Sequence, residues 1–249
     1  MTDSHAHLDA CAEPDAVVAR AREAGVTRIV TIGTGIDSCR RALELAEAHD
    51  VVVAALGIDP HRAATGEAAR VEELRPLLEH PRAVAVGETG LDGHHGADTL
   101  REQRVLLDAQ LGLAESLALP IVIHSRAASE ATAAALEPFG GTVILHCFSE
   151  PELFEPALER GYYVSFAGNA TYPSAAPLRA AAARVPADRI LVETDAPYLA
   201  PQPVRGRPNE PRNIGHTVAA LAEARGEHPD YLSARTDANA SAAFGLSPA

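Results

Sequence analysis

Short apolar runs rich in β-branched residues alternate along the chain with longer Ala-, Leu-, Arg- and Glu-rich runs of helical period. The short runs predict strands at Thr2–His5, Arg28–Gly33, Val51–Gly57, Ala83–Glu88, Ile121–His124, Thr142–Cys147, Tyr162–Phe166 and Ile190–Glu193. The longer runs predict helices at Pro14–Ala24, Asp37–Ala48, Glu67–Leu78, Leu100–Leu117, Ala127–Leu136, Pro151–Glu159, Ala175–Arg184 and Ile214–Glu223, with a last one at Pro229–Ala243. Gly or Pro punctuates several helix ends, as at Ala24-Gly25 and Val185-Pro186. Eight strands with eight intervening helices predict an α/β protein: one (β/α)8 TIM barrel over residues 1–249, with a doubly wound open sheet as the alternative. Nothing resembling a linker, repeat or low-complexity segment divides the chain. The segment Asp195–Arg212 is long and rich in Pro, Gly and Arg, so it is either functional or mobile.

Potential metal ligands recur at one place in these units, the C-terminal end of a predicted strand. They are His5 and His7 in DSHAHLD, Glu88 in VAVGETGLD, His124 in IVIHSR, His146 in VILHCFS and Asp195 in ILVETDAPY. A barrel turns all of its strand C-termini to one mouth. His5 and His7 are two residues apart and point to the same side of an extended chain. Four imidazoles and two carboxylates form a mixed N/O set that suits Zn²⁺, Mn²⁺ or Fe²⁺. Six ligands exceed the needs of one tetrahedral ion and suit two ions sharing a bridge. His49, His80, His94, His95 and His228 fall in helix ends or loops and receive no role.

Composition sharpens this. All of the 21 basic residues are Arg. Without Lys there is no Schiff base, no phosphate-loop lysine and no carbamylated-lysine bridge. A carboxylate must then join the two ions, and Glu88 is the candidate. The net charge is −13, which excludes a broad basic face for nucleic acid but leaves room for a site that supplies its own cations. Aromatic residues are 4% and Trp is absent, against a long stacking platform. The three cysteines lack CxxC spacing. With no leader-like segment and no apolar run near the roughly 20 residues of a membrane span, a cytoplasmic protein without membrane contact is expected. No obligate protein partner is evident.

The segments DSHAHLD, GETGLD, QRVLLDAQLGLAESLALPIVIHSR, LHCFS, YYVSFAGNAT, ADRILVETDAPYLAP and RGRPNEP run in order over nearly the whole chain. With these motifs the sequence resembles the TatD family of metal-dependent deoxyribonucleases and related hydrolases. The resemblance implies a (β/α)8 barrel with a one- to three-metal centre. It implies that His5, His7, Glu88 and Asp195 bind one metal and Glu88, His124 and His146 another. Three departures stand out: the family's usual GIHPH reads GIDPH, with Asp59 before His61, Thr89 in GETGLD stands where an aliphatic residue is usual, and Gly93 follows where Tyr is common.

The expected activity is hydrolysis of DNA phosphodiester bonds, at ends or on short single strands, by metal-activated water. Two divalent ions (Zn, Mn, Mg or Fe) are the cofactors. Asp195 is the candidate general base, and Glu88 the bridging catalytic ligand. His61, Arg205, Arg207 and Asn209 are candidate substrate contacts, and Tyr172 and Tyr198 candidate stacking residues. Glu193 and Asp92 are expected to orient ligating side chains. Glu210 is alternatively a tie that pairs with an Arg and holds its loop. Ser125 is a weak nucleophile candidate, and Gly33-Thr34-Gly35 lacks the spacing of a dinucleotide fingerprint. The alternatives are an ester or amide hydrolase, such as an aminoacyl-ester deacylase, and a non-catalytic metal-binding scaffold.

Overall fold

Parallel strands buried on both faces read as near-continuous apolar runs, and eight such runs form the sheet in the computed structural model, which describes residues 1–247. The strands are β1 (Thr2–Ala6), β2 (Arg28–Gly33), β3 (Val52–Leu56), β4 (Ala83–Asp92), β5 (Ile121–Arg126), β6 (Val143–Leu145), β7 (Tyr163–Phe166) and β8 (Ile190–Val192). Each is parallel to the next in sequence order. The ring closes between β8 and β1 just beyond β8. There the Asp195 N–H donates to the His5 carbonyl at 2.9 Å, and the His7 N–H to the Ala196 carbonyl at 2.7 Å. The carboxylate of Asp3 reinforces this seam by accepting from the Thr194 N–H at 2.9 Å and hydroxyl at 2.5 Å. Burial pushes the Asp3 carboxyl up to about 7, against those hydrogen bonds.

The helices are α1 (Pro14–Glu23), α2 (Ile36–Ala48), α3 (Leu74–Leu78), α4 (Leu100–Leu117), α5 (Ser129–Leu136), α6 (Pro151–Glu159), α7 (Ala176–Arg184), α8 (Ile214–Arg225) and α9 (Pro229–Ala243). Pro begins α1, α6 and α9, where its fixed φ suits the first turn and its missing N–H costs nothing. Inside the ring, Val30, Ile32, Val53, Val122, Ile144 and Leu191 pack with Ala240, Ala243 and Phe244 at the end of α9. A second apolar layer joins the outer strand faces to the helices. The result is a TIM barrel.

Most predicted elements shift at an end by one or two residues, and two elements change more. The helix expected at Glu67–Leu78 is a 3-10 turn over Ala68–Glu73 followed by the short α3. Pro76 explains the break: its ring opposes a hydrogen-bonded turn before it, so the helix restarts with Pro76 in its first turn. Strand β4 continues past Glu88 to Asp92, because pairing with β5 persists as far as Asp92 opposite Arg126. The segment after Asp195 is pinned. Arg20 grips Glu210 with two hydrogen bonds of 2.8 and 3.0 Å, so Glu210 is the expected tie.

Candidate metal centre

Five strands deliver the six expected ligands to one mouth. His5 stands in β1 and His7 directly after it; Glu88 lies within β4, His124 within β5, His146 directly after β6, and Asp195 just beyond β8. The extended backbone of β1 turns His5 Nε2 and His7 Nε2 to within 3.3 Å of each other. Glu88 is flanked by glycines that leave no room for a side chain. At Gly87 (φ +132°) a Cβ would meet the Val122 carbonyl at 2.6 Å, and at Gly90 (φ +148°) it would overlap the His124 carbonyl. Glycine adopts such angles without steric cost, and the resulting close approach of β4 to β5 sets Glu88 beside His124.

Glu88 faces two ways. Its Oε2 lies 3.5 Å from His5 Nε2 and 3.7 Å from His7 Nε2, while Oε1 lies 3.0 Å from both His124 Nδ1 and His146 Nε2. Asp195 Oδ1 completes the first side, 3.3 Å from His7 Nε2 and 3.9 Å from His5 Nε2. On the second side His124 Nδ1 and His146 Nε2 are 3.2 Å apart. Metal–ligand bonds of about 2.1 Å place neighbouring donor atoms about 3.0–3.4 Å apart. Both sides of Glu88 therefore have close to the spacing of a coordination shell. His5–His7–Glu88, His5–His146–Asp195 and Glu88–His124–His146 are each mutually close enough to hold one ion.

The remote ring nitrogens support this. His124 Nε2 faces Asp92 Oδ2 at 3.2 Å, and His146 Nδ1 faces Glu193 Oε1 at 3.4 Å. A carboxylate on the far nitrogen fixes the proton there and leaves the near nitrogen's lone pair free for a cation. Asp92 and Glu193 thus occupy the orienting positions expected of them. Glu193 is held in turn by the Cys147 N–H at 2.8 Å. Burial, then the charge of His146, lowers His5, favouring the neutral imidazole that can ligate. Burial opposes ionisation of Glu88, but His146, His124 and His5 around it hold its carboxyl well below the usual range. Asp195 likewise overcomes its burial through His7 and stays low. Burial and the surrounding carboxylates push the Cys147 thiol far up, so Cys147 is no thiolate nucleophile.

Five of the six residues border a cavity of about 1000 Å³, and His5 is fully buried behind it. His61 and Tyr198 line this cavity. The other expected substrate contacts lie elsewhere. Asn209 is only 1% exposed, and its amide donates to the Thr194 carbonyl at 2.9 Å while its oxygen accepts from Asn213 at 3.0 Å. It is a strut beneath the loop, which corrects its assignment to substrate. Arg205 stacks on Tyr172 at 4.3 Å, and neither these two nor Arg207 borders the cavity. Ser125 Oγ donates to Glu150 at 2.7 Å and has no histidine base.

The cavity lining also includes Arg62, His95 and Arg126, which receive no role from sequence, and Asp59, which stands there only as a departure. For Arg126 the signal was available, since it stands two residues after His124 on one strand and so shares its side. Nothing in local sequence marked His95, which a turn after β4 carries back over the cavity.

A model of the family described as TatD related DNase matches residues 2–245. The chain is 40% identical to the uncharacterized metal-dependent hydrolase TatD of Mycobacterium tuberculosis, covering 99% of this chain and 98% of that protein. It is 36% identical to the 3'-5' ssDNA/RNA exonuclease TatD of Klebsiella pneumoniae, covering 93% of this chain and 92% of that one. The crystal structure of YJJV, a TatD homologue from Escherichia coli, superposes with a TM-score of 0.93 at 32% identity, covering 99% of this chain and 98% of that chain.

Proposed function

The chain belongs to the TatD-related DNase family and is a metal-dependent hydrolase of ester bonds, and from that premise we propose that it shortens single-stranded DNA or RNA from an end at a centre of two divalent ions. The observation that carries this reading is Glu88 set between two donor groups, with one carboxylate oxygen toward each. In this reading His5, His7, Glu88 and Asp195 hold one ion, and Glu88, His124 and His146 the other. The mixed N/O donors suit Zn²⁺, Mn²⁺ or Fe²⁺, with Mg²⁺ as a weaker occupant. Bound there, such ions supply Lewis acidity, acidify water and offset charge on a phosphate oxygen.

The protein's own groups do the rest. Asp195 lies at the rim of the first donor group and takes the proton that the attacking water loses. Arg62 and Arg126, on the cavity wall, meet the phosphates of the strand with paired donors. The cavity fits a few nucleotides rather than a long duplex, and the chain's charge of −13 disfavours wider contact. The substrate class and the 3'-5' direction rest on the names of the relatives. Among the described residues no helix is long and apolar enough to cross a membrane, and a cytoplasmic setting belongs to the same reading.

The test is metal-dependent digestion of end-labelled single strands by the wild type and Asp195→Asn, beside a panel of carboxylic esters. The variant is expected to lose at least about 10²-fold in kcat. Equal rates would remove Asp195 as the base. Turnover of esters with none of phosphodiesters would move the substrate class to acyl compounds.

A further inference from the structure

We propose that His61, Asp92 and His95 form an additional divalent-cation site on the open side of the cavity, selective for borderline ions such as Zn²⁺ over Mg²⁺. The three contribute donor atoms that all lie within 4.8 Å of one another. Asp92 Oδ2 is 3.0 Å from His61 Nε2 and 3.1 Å from His95 Nδ1. These are the separations of neighbouring ligands on an ion with bonds of about 2.1 Å. Two imidazoles and one carboxylate on one face leave the remaining positions to water, and that donor set favours Zn²⁺, Co²⁺ or Ni²⁺.

Three observations distinguish the cluster from ordinary hydrogen bonding. First, Asp92 is clamped. Its Oδ1 accepts the backbone N–H groups of His94 and His95, both at 2.8 Å, which aims Oδ2 at the imidazoles. Second, Oδ2 is oversubscribed. His124 Nε2 also approaches it, at 3.2 Å, and a carboxylate oxygen offers about two lone pairs. One N–H donor, from His124, and one cation shared with His61 and His95 satisfy it. Third, His61 has its own carboxylate partner. Its Nδ1 stands 3.7 Å from Asp59 Oδ1, a buried oxygen with no hydrogen-bond partner. A cation on Nε2 places the proton on Nδ1, facing that oxygen, as in other carboxylate–histidine–metal relays. His61 and His95 are 46% and 52% exposed at their side chains, so an ion can enter from solvent.

The ion would put positive charge on the wall of a strongly acidic protein, where an anionic substrate enters. The site shares no ligand with the two-ion reading of Glu88 and meets it only through the contact of His124 Nε2 with Asp92.

The experiment is titration of metal-free protein with Zn²⁺ by calorimetry, with bound zinc counted after desalting. Five proteins are compared: wild type, His95→Ala, His95→Asp, Glu88→Gln and the double variant Glu88→Gln/His95→Ala. His95 is an exposed loop residue outside the catalytic groups, so its variants keep the fold. His95→Ala is expected to bind one equivalent fewer than wild type. His95→Asp restores that equivalent, at least tenfold weaker. Glu88→Gln retains an equivalent that the double variant with His95→Ala lacks. Equal stoichiometry and affinity in wild type and His95→Ala would overturn the proposal. If Glu88→Gln binds as much zinc as wild type, the reading of Glu88 fails instead, and the two failures are separable.

Discussion

Strand β4 carries two buried carboxylates four residues apart, and each is ringed by imidazoles in a different way. Glu88 meets His5, His7, His124 and His146, all four in or directly beyond strands and all but His124 buried below about an eighth exposure. Asp92 meets His61 and His95, which come from loops and are about half exposed, together with the far nitrogen of His124. The donor chemistry is similar, but the mechanical setting is not. Backbone pairing and the glycine-enforced approach of β4 to β5 fix the Glu88 ring before any ion arrives. The Asp92 ring depends on one clamped carboxylate and two adjustable side chains. His124 touches both, so the rigid centre and the open wall are coupled through one imidazole.

The comparison breaks most visibly at Glu88. Glu88→Gln keeps the shape and one acceptor but removes the charge that both donor groups share. We expect kcat on single-stranded DNA to fall by at least about 10³-fold, since a lost metal bridge removes both water activation and charge stabilisation. Quenched-flow or gel assays at saturating Mn²⁺ read this directly, and a variant within tenfold of wild type would show that one neutral amide oxygen suffices at this position. Elemental analysis of the same variant separates lost metal from lost chemistry.

The next effect tests the coupling through His124. Asp92→Asn keeps the clamp to the backbone through its amide oxygen but sets an NH2 donor where Oδ2 accepts the His124 proton on Nε2. Such outer partners are typically worth about 10–100-fold in metal affinity or activity. We expect a loss in that range, seen as a raised metal requirement and partly recovered at high Mn²⁺. Glu193→Gln, which holds His146 from the other side, should behave alike. If Asp92→Asn loses activity with an unchanged metal requirement, its role lies with substrate rather than with the orientation of His124.

The rigid half of this comparison was legible in sequence, and the adjustable half was not. Strand ends fix where His5, Glu88, His124 and Asp195 must meet, because a parallel barrel has one mouth and strand side chains alternate with a period of two. Motif likeness then divides the donors into two groups around Glu88, while the distances set His146 near His5 and Asp195 as well as near His124. The loop contributions have no such period. His95 reaches the cavity only because β4 runs on to Asp92 and a turn there carries the chain back, a path set by pairing with β5. Proximity in sequence points to Arg205, Arg207 and Asn209, none of which borders the cavity. They follow the Asp195 motif closely, but Asn209 turns inward to support the Thr194 carbonyl and Arg205 turns outward to Tyr172.

The smallest expected effects decide between the two sets of arginines. Arg205→Ala removes a guanidinium that stacks on Tyr172 outside the cavity, an exposed contact worth about 0.5–1 kcal/mol. Its kcat/KM should stay within about twofold of wild type, with at most a slight fall in Tm, because neither partner borders the metal centre. Arg126→Ala empties a position on the cavity wall, two residues from His124 on β5. A single charged contact to phosphate is worth about 1–2 kcal/mol. Its loss should therefore raise KM for a short single strand roughly five- to thirtyfold and leave kcat nearly unchanged. Because the contact is electrostatic, the gap between Arg126→Ala and wild type should narrow as salt rises, while that between Arg205→Ala and wild type stays flat. The reverse pattern, a salt-sensitive KM defect in Arg205→Ala with none in Arg126→Ala, would move the phosphate path off the β5 wall and onto the loop after Asp195.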